Sequence, residues 1–194
     1  MFCLKNKNRL AKERKLYKDE IELVNDVKRG KNDAFRRIVD RYRMQIIKVS
    51  AAMVGNIYDA EDVAQDVFVR FYKNINQYKG DAALGTYLTK IAMNLSLNLL
   101  KKRKSEQWKN NELKVNYDKQ KSDPYKSIDN KTLVEQALQL LPPDFKTVVV
   151  LRLVQGYSTK ETAELLNLPL GTVLSRLARG QQKLKEILNN LQNE

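Results

Sequence analysis

The chain has 194 residues, enough for one domain or two small ones, and a formal net charge of +13 that selects an anionic partner, nucleic acid or an anionic membrane surface. It has no histidine and one cysteine, Cys3, which excludes Cys/His zinc sites, histidine-based catalysis and an internal disulfide. No P-loop or G-x-G-x-x-G pattern occurs, so the reading is a non-enzyme that needs no cofactor and no metal.

Hydrophobic content of 42% supports folded cores, and 7 Gly and 4 Pro among many Leu, Lys, Glu, Gln and Asn favour an all-α chain. The N-terminal stretch lacks the apolar run of a signal peptide. Val148 to Leu151 is far too short to span a bilayer, so a cytoplasmic protein without membrane insertion is expected.

Residues 1–18 form a basic arm of low apolar content. From Asp19, Ile21, Val24 and Val27 step at helical spacing, and Gly30 is placed to end that helix. Asp33 is a candidate N-cap for a second helix that buries Phe35, Ile38, Val39, Tyr42, Ile46, Ile47, Val49 and Met53 and stops at Gly55-Asn56. The third helix, DAEDVAQDVFVRFYKN, sorts into two faces. Val63, Ala64, Val67, Val69 and Phe71 fall to an apolar side. Asp59, Asp62, Gln65 and Asp66 form an acidic ridge at the positive end of the helix dipole, with Asp59 as N-cap, Asp62 at N3, and Arg70 and Lys73 at the far end. Taken alone, this is an ordinary solvated amphipathic helix.

Ile75 to Gly85 breaks the periodicity and reads as a loop. A helix follows from about Thr86 to Lys104, with Leu88, Ile91, Leu95 and Leu99 as its stripe and Lys101-Lys102-Arg103-Lys104 at its end, suited to phosphate. Residues 105–127 carry five basic and four acidic side chains, so they form a linker rather than a polybasic arm. Trp108 either anchors it to a surface or stands partly exposed.

A second domain begins near Ile128, where Leu133, Ala137, Leu140 and Leu141 mark one helix, stopped by Pro142-Pro143. The next helix starts at Pro143-Asp144 and runs to Gly156. Within it Thr147 to Val150 is a β-branched run with strand propensity, overridden here by the helical spacing of Phe145, Val148, Val149 and Arg152. Ser158 and Glu161 make a capping box. Asn167 suits a left-handed turn, Pro169 blocks continuation, and Gly171-Thr172 opens the last helix. On that helix Val173, Leu177, Leu184, Leu188 and Leu191 form one stripe. Thr172, Ser175, Arg176, Arg179 and Lys183 form a polar, basic face. A short helix, a tight turn and a basic second helix define a helix-turn-helix, whose second helix reads duplex DNA. Its rival is a helical hairpin in which Arg176 or Arg179 merely pairs with Glu161 or Glu164.

These segments, in this order, resemble the sigma factors of bacterial RNA polymerase, the sigma-70 family, and within it the extracytoplasmic-function (ECF) group. The resemblance covers roughly residues 20–104 and 128–190. YDAEDVAQDVFVRFYKN resembles the core-binding segment of region 2, QYKGDAALGTYLTKIAMNLSLNLLKKRK the part that reads and opens the -10 element, and LLPPDFKTVVVLRLVQGYSTKETAELLNLPLGTVLSRLARGQQKLKEIL the -35-reading region 4. It implies two small helical domains, 19–104 and 128–190, joined by the linker. It implies as partners core RNA polymerase, docked through Asp59, Asp62, Gln65 and Asp66, and promoter DNA. The -10 element would meet Tyr78, Tyr87, Lys90, Asn94, Lys101 and Lys102, with Tyr78 or Tyr87 stacked on an unpaired base. The -35 duplex would meet Thr172, Ser175, Arg176, Arg179 and Lys183. An anti-sigma factor is a possible further partner. The family often has Trp at the position of Tyr87, Asp and Arg at Asn98 and Lys101, and a basic or polar residue at Leu174. A stand-alone helix-turn-helix regulator is the alternative, and it has no need of the acidic ridge. A basic adaptor of a membrane surface or ribosome rests on charge alone.

Overall fold

A computed structural model describes residues 18–111 and 130–193, with side chains for 18–106 and 133–193. The expectations for the arm over 1–17, for residues 112–129 and for the side chain of Trp108 lie outside the described residues. Among these the chain is helical, without a strand. α1 spans 18–28, α2 Asn32–Val54, α3 Ile57–Lys73 and α4 Leu84–Asn111. α5 covers Asn130–Leu140, α6 Pro143–Val149, α7 Thr159–Leu166 and α8 Leu170–Gln192.

The first four helices bury the large apolar groups that the periodicity marked. Ile38, Ile46, Val49 and Met53 of α2 meet Val67 and Phe71 of α3 and Leu88 and Met93 of α4, all fully or almost fully buried. Two positions on α3 depart from the expected face. Val69 is 43% exposed, and Phe68, one residue earlier, takes the buried place. A helix turns about 100° per residue, so the one-residue shift swings the side chain out of the core.

The caps also differ in detail. α2 is preceded by Lys31 at the N-cap, and Asp33 lies in the first turn. α3 is capped by Asn56, whose side chain accepts from the Asp59 N–H at 2.8 Å, so Asp59 is the third helical residue and not the cap. α4 starts at Leu84, two residues before the expected Thr86, and continues past Lys104 to Asn111. Polar residues such as Ser105 and Glu106 break no helix on an exposed surface, where an apolar stripe is not required.

Two buried charged groups organise the packing. Glu20 of α1 is 3% exposed. One carboxylate oxygen accepts from the Tyr42 hydroxyl of α2, and the other accepts the Leu84 N–H at 3.0 Å. A side chain of α1 thereby satisfies an orphan donor at the start of α4. Burial, then the Glu20 contact, pushes the Tyr42 phenol well above its usual pKa. Lys146 of α6, also 3% exposed, reaches across to the end of α2. Its ammonium donates to Met53 O and Gln139 O, each at 3.3 Å, and to Gln139 Oε1 at 2.9 Å. Gln139 Nε2 donates to Ala52 O at 3.3 Å. A cation and an amide thus meet carbonyls at the negative end of the α2 dipole. Tyr157 OH to Thr89 Oγ1, at 3.2 Å, adds a further contact between α4 and the second half.

In that second half Leu138, Leu141, Val149, Val150 and Leu151 join the core of the first four helices, while Val148, Ala163 and Val173 make a smaller cluster of their own. Leu140, expected inside, is exposed, and Leu138 occupies the core. The β-branched run Thr147–Val150 is helical, and Val150–Val154 widens into one π-helical turn before Gly156. α8 crosses α6 closely at Gly180, where a Cβ would come within 2.9 Å of Val149 Cγ2.

Candidate functional site

Three exposed faces carry the candidate residues. The first lies on α3. Asp62, Gln65 and Asp66 are exposed on it, and a groove of about 640 Å³ runs between α2 and α3 beside them. Phe35, Val39, Phe68 and Tyr72 supply its apolar wall; Arg43, Glu61, Asp62 and Lys73 supply charged rims. Asp59 stands apart from this group. It is ion-paired with Arg103 of α4, and that guanidinium, with Asn56, holds its carboxyl below the usual range. Phe35, Val39 and Tyr72 were not singled out as site residues in the sequence, because α2 and α3 stripes alone do not say which apolar residues line a groove.

The second face lies along α4. Tyr87, Lys90, Asn94 and Lys101 recur at three, four and seven residues, which puts them along one side of the helix. Lys90, Asn94, Lys101 and Lys102 are exposed, and Lys102 pairs with Glu106 at 3.8 Å. Tyr87 is half-buried and borders a hollow of about 240 Å³ with Arg70, Asn74, Gln77, Ile91 and Asn94. Tyr78 does not share this face. It is 4% exposed, donates its hydroxyl to Ala82 O at 2.8 Å and sets its ring edge-on to Phe71 and Tyr87 at 6.4 and 5.1 Å. The aromatic cluster fixes the 75–83 segment from inside, and Lys28 Nζ holds the Tyr78 carbonyl at 3.1 Å.

The third face lies on α8. The capping box at Ser158 and Glu161 is formed in both directions, and Ser158 holds the Glu161 carboxyl below its usual pKa. Asn167 takes the left-handed conformation at φ 56° and ψ 42°. α8 begins at Leu170, after Pro169, and not at Gly171-Thr172. Ser175, Arg179 and Lys183 are exposed, whereas Thr172 and Arg176 are half-buried. Arg176 turns toward α6, 3.4 Å from Asp144, an acid outside the pair expected from the sequence. Arg179 and Lys183 make no ion pair among the described residues.

The geometry is matched by known proteins over both halves. The family models "Sigma-70 region 2" and "Sigma-70, region 4" match residues 38–106 and 131–184 in that order. The ECF RNA polymerase sigma factor SigW of Bacillus subtilis is 32% identical over 179 residues, covering 87% of this chain and 96% of that protein. The RNA polymerase sigma-H factor of Pseudomonas aeruginosa is 29% identical, covering 89% and 95%. Among solved structures, the sigma factor RpoE of Bartonella quintana, in complex with the anti-sigma factor NepR, superposes with a TM-score of 0.64 at 21% identity, over 80% of this chain and 96% of that one. CnrH, in complex with the cytosolic domain of CnrY, gives 0.64 at 22%, over 89% and 97%. The chain belongs to the ECF sigma factors of the sigma-70 family. It is a sigma factor for promoter-specific transcription initiation, and the stand-alone regulator is not favoured, since a region 2 unit precedes the helix-turn-helix. No helix among the described residues is long and apolar enough to cross a membrane.

Proposed function

We propose that this sigma factor holds core RNA polymerase through Asp62, Gln65 and Asp66 of α3, engages the opening -10 element along Tyr87, Lys90, Asn94 and Lys101 of α4, and reads the -35 duplex with the exposed N-terminal half of α8. The protein carries no chemistry of its own; the polymerase makes the RNA, in the cytoplasm. Of the two tyrosines, Tyr87 takes the stacking role, since it is half-buried on the α4 face while Tyr78 is 4% exposed. Of the two arginines, Arg179 takes the base-reading role and Arg176 supports the helix from the Asp144 side. Asp59 positions α3 against α4 through Arg103. The exposed α3 ridge carries the reading: Asp62, Gln65 and Asp66 stand beside a groove with an apolar wall and a rim of mixed charge, Glu61 and Asp62 with Arg43 and Lys73, and that ridge suits a basic amphipathic partner helix. An anti-sigma factor of the kind solved with RpoE is proposed as a further partner.

Run-off transcription with purified core polymerase tests it. Addition of the protein should yield a promoter-specific transcript, and Asp62→Lys with Asp66→Lys should abolish both the transcript and co-purification with core. Both residues are exposed, so helicity should be unchanged. Full activity of that double variant would sink the α3 assignment.

A further inference from the structure

The outermost face of the first turns of α8 is not the basic one. Gly171, Ser175 and Ala178 form its crest, all exposed and all small. On one flank stand Arg179 and Lys183; on the other stand Leu170 and Leu174, 50% and 51% exposed. Fraying does not explain this, because Val173, next to Leu174, is fully buried. An isolated exposed leucine is ordinary. This one lies across the crest from two cations that make no ion pair among the described residues, on a helix with no acidic residue from Leu170 to Lys185. The charge complements a polyanion. Along the major groove of a DNA duplex the one apolar group on the base edges is the thymine C5-methyl, which apolar side chains contact. The small crest lets the helix backbone settle deep in the groove, so that a leucine, shorter than arginine, reaches a base edge.

We propose that Leu174, supported by Ala178 one turn on, reads thymine methyl groups in the -35 element. This rests on the assignment of α8 to the -35 duplex and adds the chemical identity of what it recognises there. Arg179 then supplies hydrogen bonding to guanine on one flank, and Leu174 supplies methyl recognition on the other.

The test uses holoenzyme assembled from core polymerase and the full chain. Duplexes are enriched from a pool randomised over the -35 region, then resynthesised with deoxyuridine in place of each thymidine in turn, which removes the methyl and keeps every hydrogen-bonding group. One or two positions should weaken wild-type binding by about fourfold each, the effect of one buried carbon. Leu174→Ala, an exposed substitution, should bind the thymidine and deoxyuridine forms of those positions equally. Wild-type binding indifferent to every methyl would overturn the proposal and leave α8 as the -35 reader. So would a Leu174→Ala variant that keeps the full methyl sensitivity. A pool that yields no enriched sequence would overturn the α8 assignment and this proposal together.

Discussion

The two halves of the molecule solve the same problem with opposite charges. In the first, a buried carboxylate, Glu20, meets the N-terminal end of α4; in the second, a buried ammonium, Lys146, meets the C-terminal end of α2. Each charge sits at the helix end whose dipole favours it. The difference lies in what is joined. Glu20 ties together helices of one unit, around its core of Phe71, Ile38, Ile46, Met53, Leu84 and Leu88. Lys146 ties one unit to the other. The second half keeps a small core of Val148, Ala163 and Val173 and sends Leu138, Leu141 and Leu151 into the core of the first. A small helical unit buries too little apolar surface to be firmly stable by itself, so a shared core and a polar latch supply the remainder.

Breaking the first charge should have the largest effect. Glu20→Ala leaves the Leu84 N–H and the Tyr42 hydroxyl buried without an acceptor, and should lower the unfolding free energy of the first unit by about 3 kcal/mol. Urea denaturation followed by the near-ultraviolet signal of its tyrosines reads this; a loss within error of zero would remove Glu20 from its organising role.

Lys146→Met keeps the bulk of the side chain and should instead act between the units. Native-state hydrogen exchange along α5 and α6 should quicken about tenfold, with the first unit little changed. The wild type should also respond to alkali. Burial holds the Lys146 pKa down at about 8, against 10.5 in a free chain. Between those values the undocked state binds more protons than the docked one, so docking tightens as pH rises through that window and is weakest below it. Protection of α5 and α6 that does not rise from pH 8 to 10, or a Lys146→Met variant that still shows such a rise, would contradict the latch.

Gly55 sharpens the comparison at the same contact. It ends α2 at φ 91°, and a Cβ there would lie 2.6 Å from Gln139 Cδ. Gly55→Ala should cost about 1–2 kcal/mol, through backbone strain and displacement of Gln139 together. Thermal melts of Gly55→Ala and of Gly55→Ala with Gln139→Ala separate the two: the double variant should recover part of the loss.

The smallest effect belongs to Asp59. Its carboxyl is held below the usual range by Arg103, so the pair stabilises the fold above about pH 4 and is lost as pH falls through the depressed value. The pair is partly exposed, and Asp59→Asn should cost about 0.5 kcal/mol at pH 7. An acid titration of stability in which wild type and variant run parallel would show no such contribution.

How far these features are legible in sequence follows from their range. Periodic stripes placed the core of α2 and most of α3, and the Ser158–Glu161 box and Asn167 marked the turn of the helix-turn-helix, because each is decided within a few residues. The β-branched Thr147–Val150 run shows tertiary packing overriding local propensity. Glu20 and Lys146 look like solvated charges in the sequence; only partners 64 and 93 residues away reveal them as buried. Tyr78 is hidden for the same reason: a tyrosine in a loop reads as exposed, and only the fold sets Phe71 and Tyr87 around it. Arg176 and Arg179 are alike on paper, and it is Asp144 on α6 that separates them.

The bond from Glu20 to the Leu84 N–H also sets a timetable. A chain made from its N-terminus has α1 and α2 long before residue 84 leaves the ribosome, and the two ends of this contact lie 64 residues apart. Until then the Glu20 carboxylate has no backbone donor from α4 and gains more from water than from a half-built interior. Closure of the first unit therefore waits for α4, as contacts of long sequence separation form late. The helix proposed to engage the opening -10 element is also the last piece the first unit needs before it can fold.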